Sequence, residues 1–367
     1  MLTHLHIKGF KSLCDSEVRL SRMNVLVGAN GAGKSNLIAF FRFLNEMMAQ
    51  RLQIHIGVSG RAQTILSYGP KQTPQLEATL KFELDGAEDE YSMRLFHAAG
   101  DTLVFADETL RYRKTDQVRP VEKSLGAGQL ETRIGDAAEE GDEVAKVFRY
   151  LLSRCRVYHF HDTSSTARVR QHCYIGDSRF LMPDAGNLAA VLYKLKNEAD
   201  PKQYHRIVKH IRLIAPYFDD FDLEPAGTEK KDIILNWKET GSDQVFGPHQ
   251  LSDGTLRSIC LITLFLQPVD STPDLIIVDE PELGLHPYAL NVIASVMKQA
   301  AMNTQVMIST QSPGLLDHFD RNDIVIVQKV SRGTRFSRPD PDALESWLEE
   351  YTLGDVWEKN VFGGGPF

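Results

Sequence analysis

The sequence predicts an α/β protein with a parallel or mixed central sheet, N-terminal antiparallel strands and an inserted, mostly helical lobe. Three observations predict this class. An apolar strand at 24–27 leads through a glycine loop into residues 37–48, whose apolar side chains recur at helical spacing. Residues 76–113 alternate apolar and polar side chains, which is typical of antiparallel strands. From residue 251 onward strands and helices alternate, as in a parallel sheet covered by helices.

The order of these patterns predicts three segments. Residues 1–120 form the first part of the main domain, 121–247 the inserted lobe, and 248–367 the second part of the main domain. Within the lobe, the polar and glycine-containing stretch 123–141 reads as a mobile loop, and helical patterns follow at 143–152, 187–196 and 202–214. No heptad run is long enough for a coiled coil.

Composition limits the class of protein. The chain has 367 residues and a net charge of −8, which argues against an overall basic surface but allows a local basic groove. Its four cysteines, Cys14, Cys155, Cys173 and Cys260, form no Cys-x-x-Cys pair, so neither a zinc site nor a redox pair is indicated. Scattered cysteines favour a cytoplasmic protein. No apolar run is long enough for a membrane span, so no membrane partner is expected.

The strongest motif is the octapeptide at residues 28–35, Gly-Ala-Asn-Gly-Ala-Gly-Lys-Ser. It matches the P-loop pattern, and it has the required context of a strand before it and a helix after it. Glycines let the backbone N–H groups point at phosphate oxygens, and the helix start adds positive potential. Lys34 is expected to reach the β- and γ-phosphates, and the Ser35 hydroxyl is expected to ligate magnesium.

A second motif supplies carboxylates. The apolar strand at 275–278 ends in Asp279 and Glu280. Ligands bind at the carboxyl ends of strands in open α/β sheets, so Asp279 is a candidate for the magnesium shell and Glu280 for the group that polarises the attacking water. Strands ending in acidic residues are common, and the P-loop upstream is what favours the functional interpretation.

Two shorter patterns have structural alternatives. Ser252, Asp253 and Gly254 precede a helix, where a serine either caps the helix or helps to make an anion site. Gln311 follows a strand and precedes Pro313, so it either belongs to a polar turn or senses the γ-phosphate and orients water.

Together these motifs resemble the ABC-type ATPase heads of the SMC and RecF kind, a class of P-loop NTPase. The resemblance is greatest to the bacterial "AAA family ATPase" proteins related to OLD nucleases, and it rests on residues 7–12, 28–36, 251–255, 279–287 and 309–313. It implies ATP and Mg²⁺ as ligands and Glu280, Lys34 and Gln311 as catalytic residues. The ATP contacts it implies are Asn30, Gly31, Gly33, Lys34, Ser35, Asn36, Ser252, Asp253 and Gly254.

The resemblance also implies a mechanism and partners. Residues 252–254 would be the ABC signature, which contacts ATP held by the P-loop of a second protomer in a head-to-tail homodimer. Gln311 stands where many ABC proteins have histidine, which predicts slow hydrolysis. The Q-loop residue is not identified, with Gln63 and Gln171 as candidates.

Three roles for the ATPase cycle remain open. The first is DNA-associated work in repair or anti-phage defence. Basic stretches at 154–170 and 194–212 fit it, although such runs are usually solvated surface. The second is an ATP-gated regulatory subunit that controls a separately encoded nuclease or toxin. A transporter subunit ranks last, because about 215 residues separate Ser35 from Ser252, much more than a compact crossover needs.

Overall fold

The computed structural model describes residues 1–84, 86–113, 120–227 and 229–361. Within these ranges the chain is an α/β protein, as predicted, and no coiled coil is evident. No helix of the described chain is long and apolar enough to cross a bilayer. The chain forms two compact units: unit 1 is Met1–Val157, Asp274–Ile277 and Asp320–Phe367, and unit 2 is Tyr158–Pro273 and Val278–Phe319. The three segments predicted from the sequence stay a prediction.

The regular elements, in chain order, are as follows. The strands are β1 (Leu2–Phe10), β2 (Leu13–Arg19), β3 (Met23–Val27), β4 (Gln75–Leu84), β5 (Ala87–Ala98), β6 (Thr102–Arg113), β7 (Val121–Gly126), β8 (Cys155–Tyr158), β9 (Cys173–Tyr174), β10 (Phe218–Asp222), β11 (Asp232–Ile233), β12 (Asn236–Glu239), β13 (Val245–Phe246), β14 (Leu275–Asp279), β15 (Gln305–Thr310), β16 (Ile324–Val330) and β17 (Gly333–Ser337). The helices are α1 (Lys34–Met48), α2 (Leu52–Val58), α3 (Ala62–Ile65), α4 (Ile134–Glu139), α5 (Glu143–Ser153), α6 (Leu188–Lys194), α7 (Pro201–Ile214), α8 (Asp253–Phe265), α9 (Pro287–Ala301), α10 (Pro313–Leu316), α11 (Pro341–Leu348) and α12 (Leu353–Glu358).

Unit 1 contains the antiparallel strands that the sequence predicts. Six strands are ordered β2-β1-β4-β5-β6-β7. Strand β4 shows why they pair with one face inward, because its buried residues alternate with partly exposed ones. The inward side chains Leu76, Ala78, Leu80 and Phe82 are at most 2 % exposed. A shift of one residue would expose this apolar set, so the register is strongly determined.

The strand before the P-loop lies in a mixed sheet of unit 1. Strand β3 is buried along its whole length and pairs in parallel with β16, with Val25 opposite Ile324. Strand β16 pairs antiparallel with β17. Burial on both faces explains why β3 is a continuous apolar run rather than an alternating one.

Helix α1 follows the P-loop, as the helical spacing predicts. Its inner side chains are fully buried, and Phe40 and Phe43 pack on Phe10 of β1 with ring centroids 5.5 and 5.8 Å apart. Edge-to-face aromatic packing of this kind adds specificity to apolar burial. It fixes the helix, and therefore its first turn, against the sheet of unit 1.

The prediction of a mobile loop at 123–141 is wrong. Strand β7 and helix α4 lie in this stretch. The buried carboxylate of Glu108 orders the chain there, because it accepts hydrogen bonds from the hydroxyl of Thr132 and from the backbone N–H of Arg133 (3.1 Å). Tyr91 donates a further hydrogen bond to it at 2.9 Å. These contacts join residues far apart in the sequence, so composition alone suggested a loop.

Unit 2 is built around packed helices. Helix α7 confirms the pattern at 202–214 and packs against α8 and α9. Helix α5, which confirms the pattern at 143–152, lies in unit 1. Helix α6 covers most of the pattern at 187–196, and a π-helical turn, Leu195–Ala199, continues the helix. Strands β10, β12 and β13 form a small antiparallel sheet, so the inserted lobe contains strands as well as the expected helices.

Candidate functional site

The P-loop in unit 1 has the backbone that its glycines permit. Gly31 and Gly33 have φ angles of 77° and 118°, in the left-handed region that favours glycine. A Cβ added at Gly33 would lie 2.1 Å from Oγ1 of Thr334, and one at Gly28 would lie 2.3 Å from the carbonyl oxygen of Val327. Conformation and close packing therefore both require glycine in this loop.

The start of α1 is suited to bind an anion. No side chain caps this 15-residue helix, and its first turn contains no acidic residue. By contrast, Asp200 caps α7 and Ser252 caps α8. The first N–H groups of a helix have no intrahelical acceptor, so at α1 they remain available for phosphate oxygens.

Lys34 and Ser35, the last two residues of the motif, occupy different environments. Lys34 is 5 % exposed, and its Nζ donates hydrogen bonds to the carbonyl oxygens of Gly28 and Ala29. The ammonium group is therefore held inside the loop. Ser35 is exposed at the first turn of α1, and its predicted contact with magnesium stays a prediction. Asn30 and Gly31 are exposed as well.

A chain of polar side chains supports the P-loop. The amide of Asn36 donates to Ser12 Oγ (2.7 Å), and Ser12 is paired with Thr334 Oγ1 (2.7 Å). Thr334 Oγ1 donates to the carbonyl oxygen of Ala32 at 2.9 Å. Thr334, which the sequence analysis missed, therefore holds the loop. The side-chain amide of Asn36 takes part in this row of hydrogen bonds. The predicted contact of Asn36 with ATP stays a prediction.

Asp279 lies at the end of β14, within unit 2. Its Oδ1 accepts a hydrogen bond from the hydroxyl of Ser309, and its backbone oxygen accepts one from Nε2 of His161 at 2.9 Å. Ser309 is completely buried on β15. A hydrogen bond from a fixed hydroxyl holds the carboxylate of Asp279 in one orientation.

Glu280 adopts an unusual backbone conformation. Its φ angle is 41°, in the region that non-glycine residues seldom occupy. Its backbone N–H donates to the carbonyl oxygen of Ser309 at 2.9 Å, and its Oε1 accepts a hydrogen bond from Nε2 of Gln311 at 3.0 Å. Gln311 therefore orients the carboxylate of Glu280. Backbone strain of this type tends to be concentrated at functional sites.

A second carboxylate, which the sequence analysis left without a role, lies beside this pair. Oε1 of Glu282 accepts hydrogen bonds from Thr310 Oγ1 (2.5 Å) and from the backbone N–H of Gln311 (3.3 Å). Its Oε2 is buried without a hydrogen-bond partner in the described part of the chain. Burial raises the pKa of this carboxyl, and the neighbouring Glu280 adds to the increase.

The predicted signature segment begins with a helix cap. Ser252 Oγ accepts a hydrogen bond from the backbone N–H of Thr255 at 3.1 Å, so the capping role that the sequence analysis considered is present. Ser252 and Asp253 are also exposed, which leaves them accessible to a ligand. A Cβ added at Gly254 would lie 2.7 Å from the carbonyl oxygen of Gly284, so glycine is required at that contact.

A buried arginine, Arg170, fixes this segment. Arg170 is 4 % exposed and donates to the carbonyl oxygens of Pro248 and Leu251 and to the carboxylate of Asp253 (2.8 Å). Its assignment to a basic surface stretch is therefore wrong, because its charge is used inside the unit.

Arg257, on α8, joins three other backbone positions of unit 2. It donates to the carbonyl oxygens of Phe160 (3.0 Å), His161 (2.9 Å) and Leu283 (2.5 Å). An arginine fork can satisfy several buried carbonyl groups at once. The sequence offered one signal for it, because Arg257 is the one basic residue of a largely apolar helix.

The remaining predictions are placed as follows. Gln171 is exposed and donates to the carbonyl oxygen of Ser165 at 2.9 Å, and Gln63 is exposed on α3, so the Q-loop residue stays unassigned. No cluster of three or more His, Cys, Asp or Glu side chains arranged to hold a metal occurs in the described ranges. Magnesium bound to nucleotide needs only one or two protein oxygens, because phosphates and water complete its shell.

Comparison with known protein families identifies the family of this chain. Residues 23–317 match the family described as "AAA domain, putative AbiEii toxin, Type IV TA system". The chain belongs to this AAA family. No curated protein matches it in sequence.

Solved structures show the same fold. An SMC head bound to the C-winged helix domain of ScpA has a TM-score of 0.58 and 16 % identity over 95 % of this chain and 99 % of that one. The SMC head with an extended coiled coil, bound to the C-terminal domain of ScpA derived from Pyrococcus furiosus, has a TM-score of 0.56 and 14 % identity over 95 % and 98 %. The predicted resemblance of this AAA family member to SMC heads is confirmed at the level of the fold.

Proposed function

We propose that this protein binds ATP with Mg²⁺ and hydrolyses it. The observation that carries the proposal is the glycine loop before α1, which leads into a helix start free of side-chain caps and acidic residues. A buried lysine is held within the same loop. This combination binds a polyphosphate through backbone N–H groups and a single cation. Membership of the AAA family and the SMC-head fold support it.

The side chains present fit a nucleotide and its metal ion. In unit 1, Lys34 and the loop N–H groups would hold the β- and γ-phosphates, and the exposed Ser35 hydroxyl is an oxygen ligand of the kind that magnesium prefers. In unit 2, the Asp279 carboxylate is a ligand of the same kind. Magnesium, when bound, neutralises negative charge on the phosphate oxygens. Glu280 accepts a proton from the attacking water, and Gln311 holds the carboxylate of Glu280 in position.

We also infer that the active form is a head-to-tail homodimer in the cytoplasm. Ser252, Asp253 and Gly254 would contact ATP bound to the P-loop of a second copy. The exposed side chains of Ser252 and Asp253, on a segment fixed by Arg170, support this assignment. ATP would stabilise the closed dimer and hydrolysis would release it, which is a ligand-driven shift of populations.

The test compares Glu280→Gln and Lys34→Ala with the parent protein. We expect Glu280→Gln to retain magnesium-dependent ATP affinity while hydrolysis falls at least about a hundredfold, as removal of a general base requires. Lys34→Ala should lose affinity, and Glu349→Gln, a change at an exposed glutamate, serves as control. Parental hydrolysis by Glu280→Gln would show that another group is the base. Absence of magnesium-dependent nucleotide binding by the parent would refute the proposed function.

For the biological role we propose DNA-associated work in repair or anti-phage defence. One face of α7 supports it, because Lys202, Arg206 and Lys209 recur at spacings of four and three residues and the helix contains no acidic residue. Two other basic residues of that stretch are already paired, Lys196 with Asp220 and Arg212 with Asp219. Lys202, Arg206 and Lys209 form no ion pair within the described ranges, and they would contact phosphates.

DNA binding is measured as a function of salt. We expect affinity to fall steeply between about 50 and 200 mM salt, and a triple substitution of Lys202, Arg206 and Lys209 by Gln to reduce the salt slope by about two to three. Salt-insensitive or absent binding by the parent would contradict this role. Copurification of a nuclease or toxin that ATP releases would favour the second candidate, a regulatory subunit. Nothing in the structure favours a transporter subunit, which remains the last choice.

A further inference from the structure

The carboxyl group of Glu282 is hydrogen-bonded to the last residue of β15 and to the residue after it. Its Oε1 accepts hydrogen bonds from two consecutive residues, the hydroxyl of Thr310 at 2.5 Å and the backbone N–H of Gln311 at 3.3 Å. Thr310 is completely buried, and Oε2 of Glu282 is shielded from solvent. Because the carboxyl group is buried and cannot easily reorient, it holds the Thr310 hydroxyl and the Gln311 backbone N–H in place.

The same segment carries the side chain that reaches Glu280. Nε2 of Gln311 donates to Oε1 of Glu280 at 3.0 Å. The Thr310 hydroxyl also accepts the backbone N–H of Ser312 at 3.0 Å, so this hydroxyl connects Glu282 with both flanks of Gln311. A displacement of this backbone would move the amide of Gln311 away from Glu280.

We propose that Glu282 is a positioning residue of the hydrolysis site, which clamps Thr310 and Gln311 so that Gln311 aims the carboxylate of Glu280. The inference rests on the proposed ATPase function. We assign Glu282 no contact with nucleotide or metal. It acts only through Gln311, and that distinguishes it from a catalytic residue.

The substitutions follow from the hydrogen bonds. In Glu282→Gln the amide oxygen still accepts from Thr310 and Gln311, so we expect kcat within about twofold of the parent. In Glu282→Leu both acceptor contacts are lost at similar volume. We expect kcat to fall about tenfold, equivalent to about 1.4 kcal/mol, with KM for ATP unchanged within about twofold.

A double-mutant cycle tests whether Glu282 acts through Gln311. Gln311→Ala should lower kcat by about as much as Glu282→Leu, and the double variant should lose no more than either single variant. If the two losses multiply, or if Glu282→Leu retains the parental kcat, the positioning role is refuted. Thr310→Val removes the donor and leaves Glu282 in place. It should show the same loss of kcat, and it replaces Glu282→Leu if that variant does not fold.

Hydrogen–deuterium exchange separates this inference from the proposed function. In nucleotide-free protein, Glu282→Leu and Thr310→Val should both increase deuterium uptake at 310–312, and Glu282→Gln should not. Unchanged uptake in both variants would overturn the clamp even if the parent is an ATPase. If the parent hydrolyses no ATP but the uptake changes, the proposed function fails and the clamp stands as a structural contact.

Discussion

Asp89 on β5 carries a buried carboxyl group that no hydrogen bond stabilises within the described ranges. The residue is 1 % exposed, and neither carboxyl oxygen has a hydrogen-bond partner within the described ranges. Burial raises the pKa of Asp89 from its ordinary value of 3.8 to about 6, although the chain's N-terminal ammonium group lowers it slightly. A buried carboxyl group that accepts no hydrogen bond favours its neutral form.

The sign and size of the effect on stability follow from linkage. Because the folded-state pKa is raised, the folded protein binds the proton more tightly than the unfolded chain, so stability falls as pH rises from about 4 to 6. The difference between 3.8 and about 6 corresponds to about 3 kcal/mol at neutral pH and above, since one pKa unit is about 1.4 kcal/mol. Asp89→Asn removes the ionisation and should stabilise the fold by up to that amount at pH 8.

Urea unfolding at pH 5 and pH 8 measures this difference. At pH 5 the gain from Asp89→Asn should be about half of its value at pH 8, because the folded-state carboxyl is then largely protonated. Asp270→Asn, at an exposed position, is the matched control and should show no pH-dependent gain. An equal effect of Asp89→Asn at both pH values, or destabilisation at pH 8, would refute the reasoning.

Three further predictions concern the site. Gly33→Ala should abolish nucleotide binding in a titration assay, because φ is 118° and the new Cβ would lie 2.1 Å from Thr334 Oγ1. Thr334→Val loses the hydrogen bond to Ala32 and should raise KM for ATP about fivefold, an effect of about 1 kcal/mol, with kcat maintained; a fall in kcat alone would contradict it. Arg170→Lys cannot replace all the bonds of the guanidinium and should lower the unfolding free energy by about 2 kcal/mol in urea, with an unchanged value counting against the anchoring role.

Much of the fold could be predicted because its signals are local. Helix α1 and strand β14 show their period and burial within a few residues, and the P-loop is a contiguous motif. The stretch 123–141 could not be predicted in this way. Its order depends on Glu108, whose hydrogen bond to Thr132 spans 24 residues, and polar composition does not reveal such a partner.

Charge was likewise an incomplete guide to the site. The basic stretch 154–170 suggested exposed positive charge, but Arg170 of this stretch is buried against the carbonyl oxygens of Pro248 and Leu251. Glu282 lies within residues 279–287, which contribute to the family resemblance, and the sequence indicated no role for it. A sequence gives the type of a side chain but not its burial, and burial decides whether a charge faces solvent or holds the backbone.

By itself the sequence determined the glycine loop, the helix after it, and the paired carboxylates at the end of an apolar strand, because each depends on neighbouring residues and backbone preferences. Only the tertiary structure decided what supports them. The contact between Ser12 and Thr334 joins residues 322 positions apart, and the clamp from Glu282 to Thr310 spans 28. Such contacts form when distant segments pack together. A local sequence pattern therefore cannot predict which hydroxyl will donate to which acceptor.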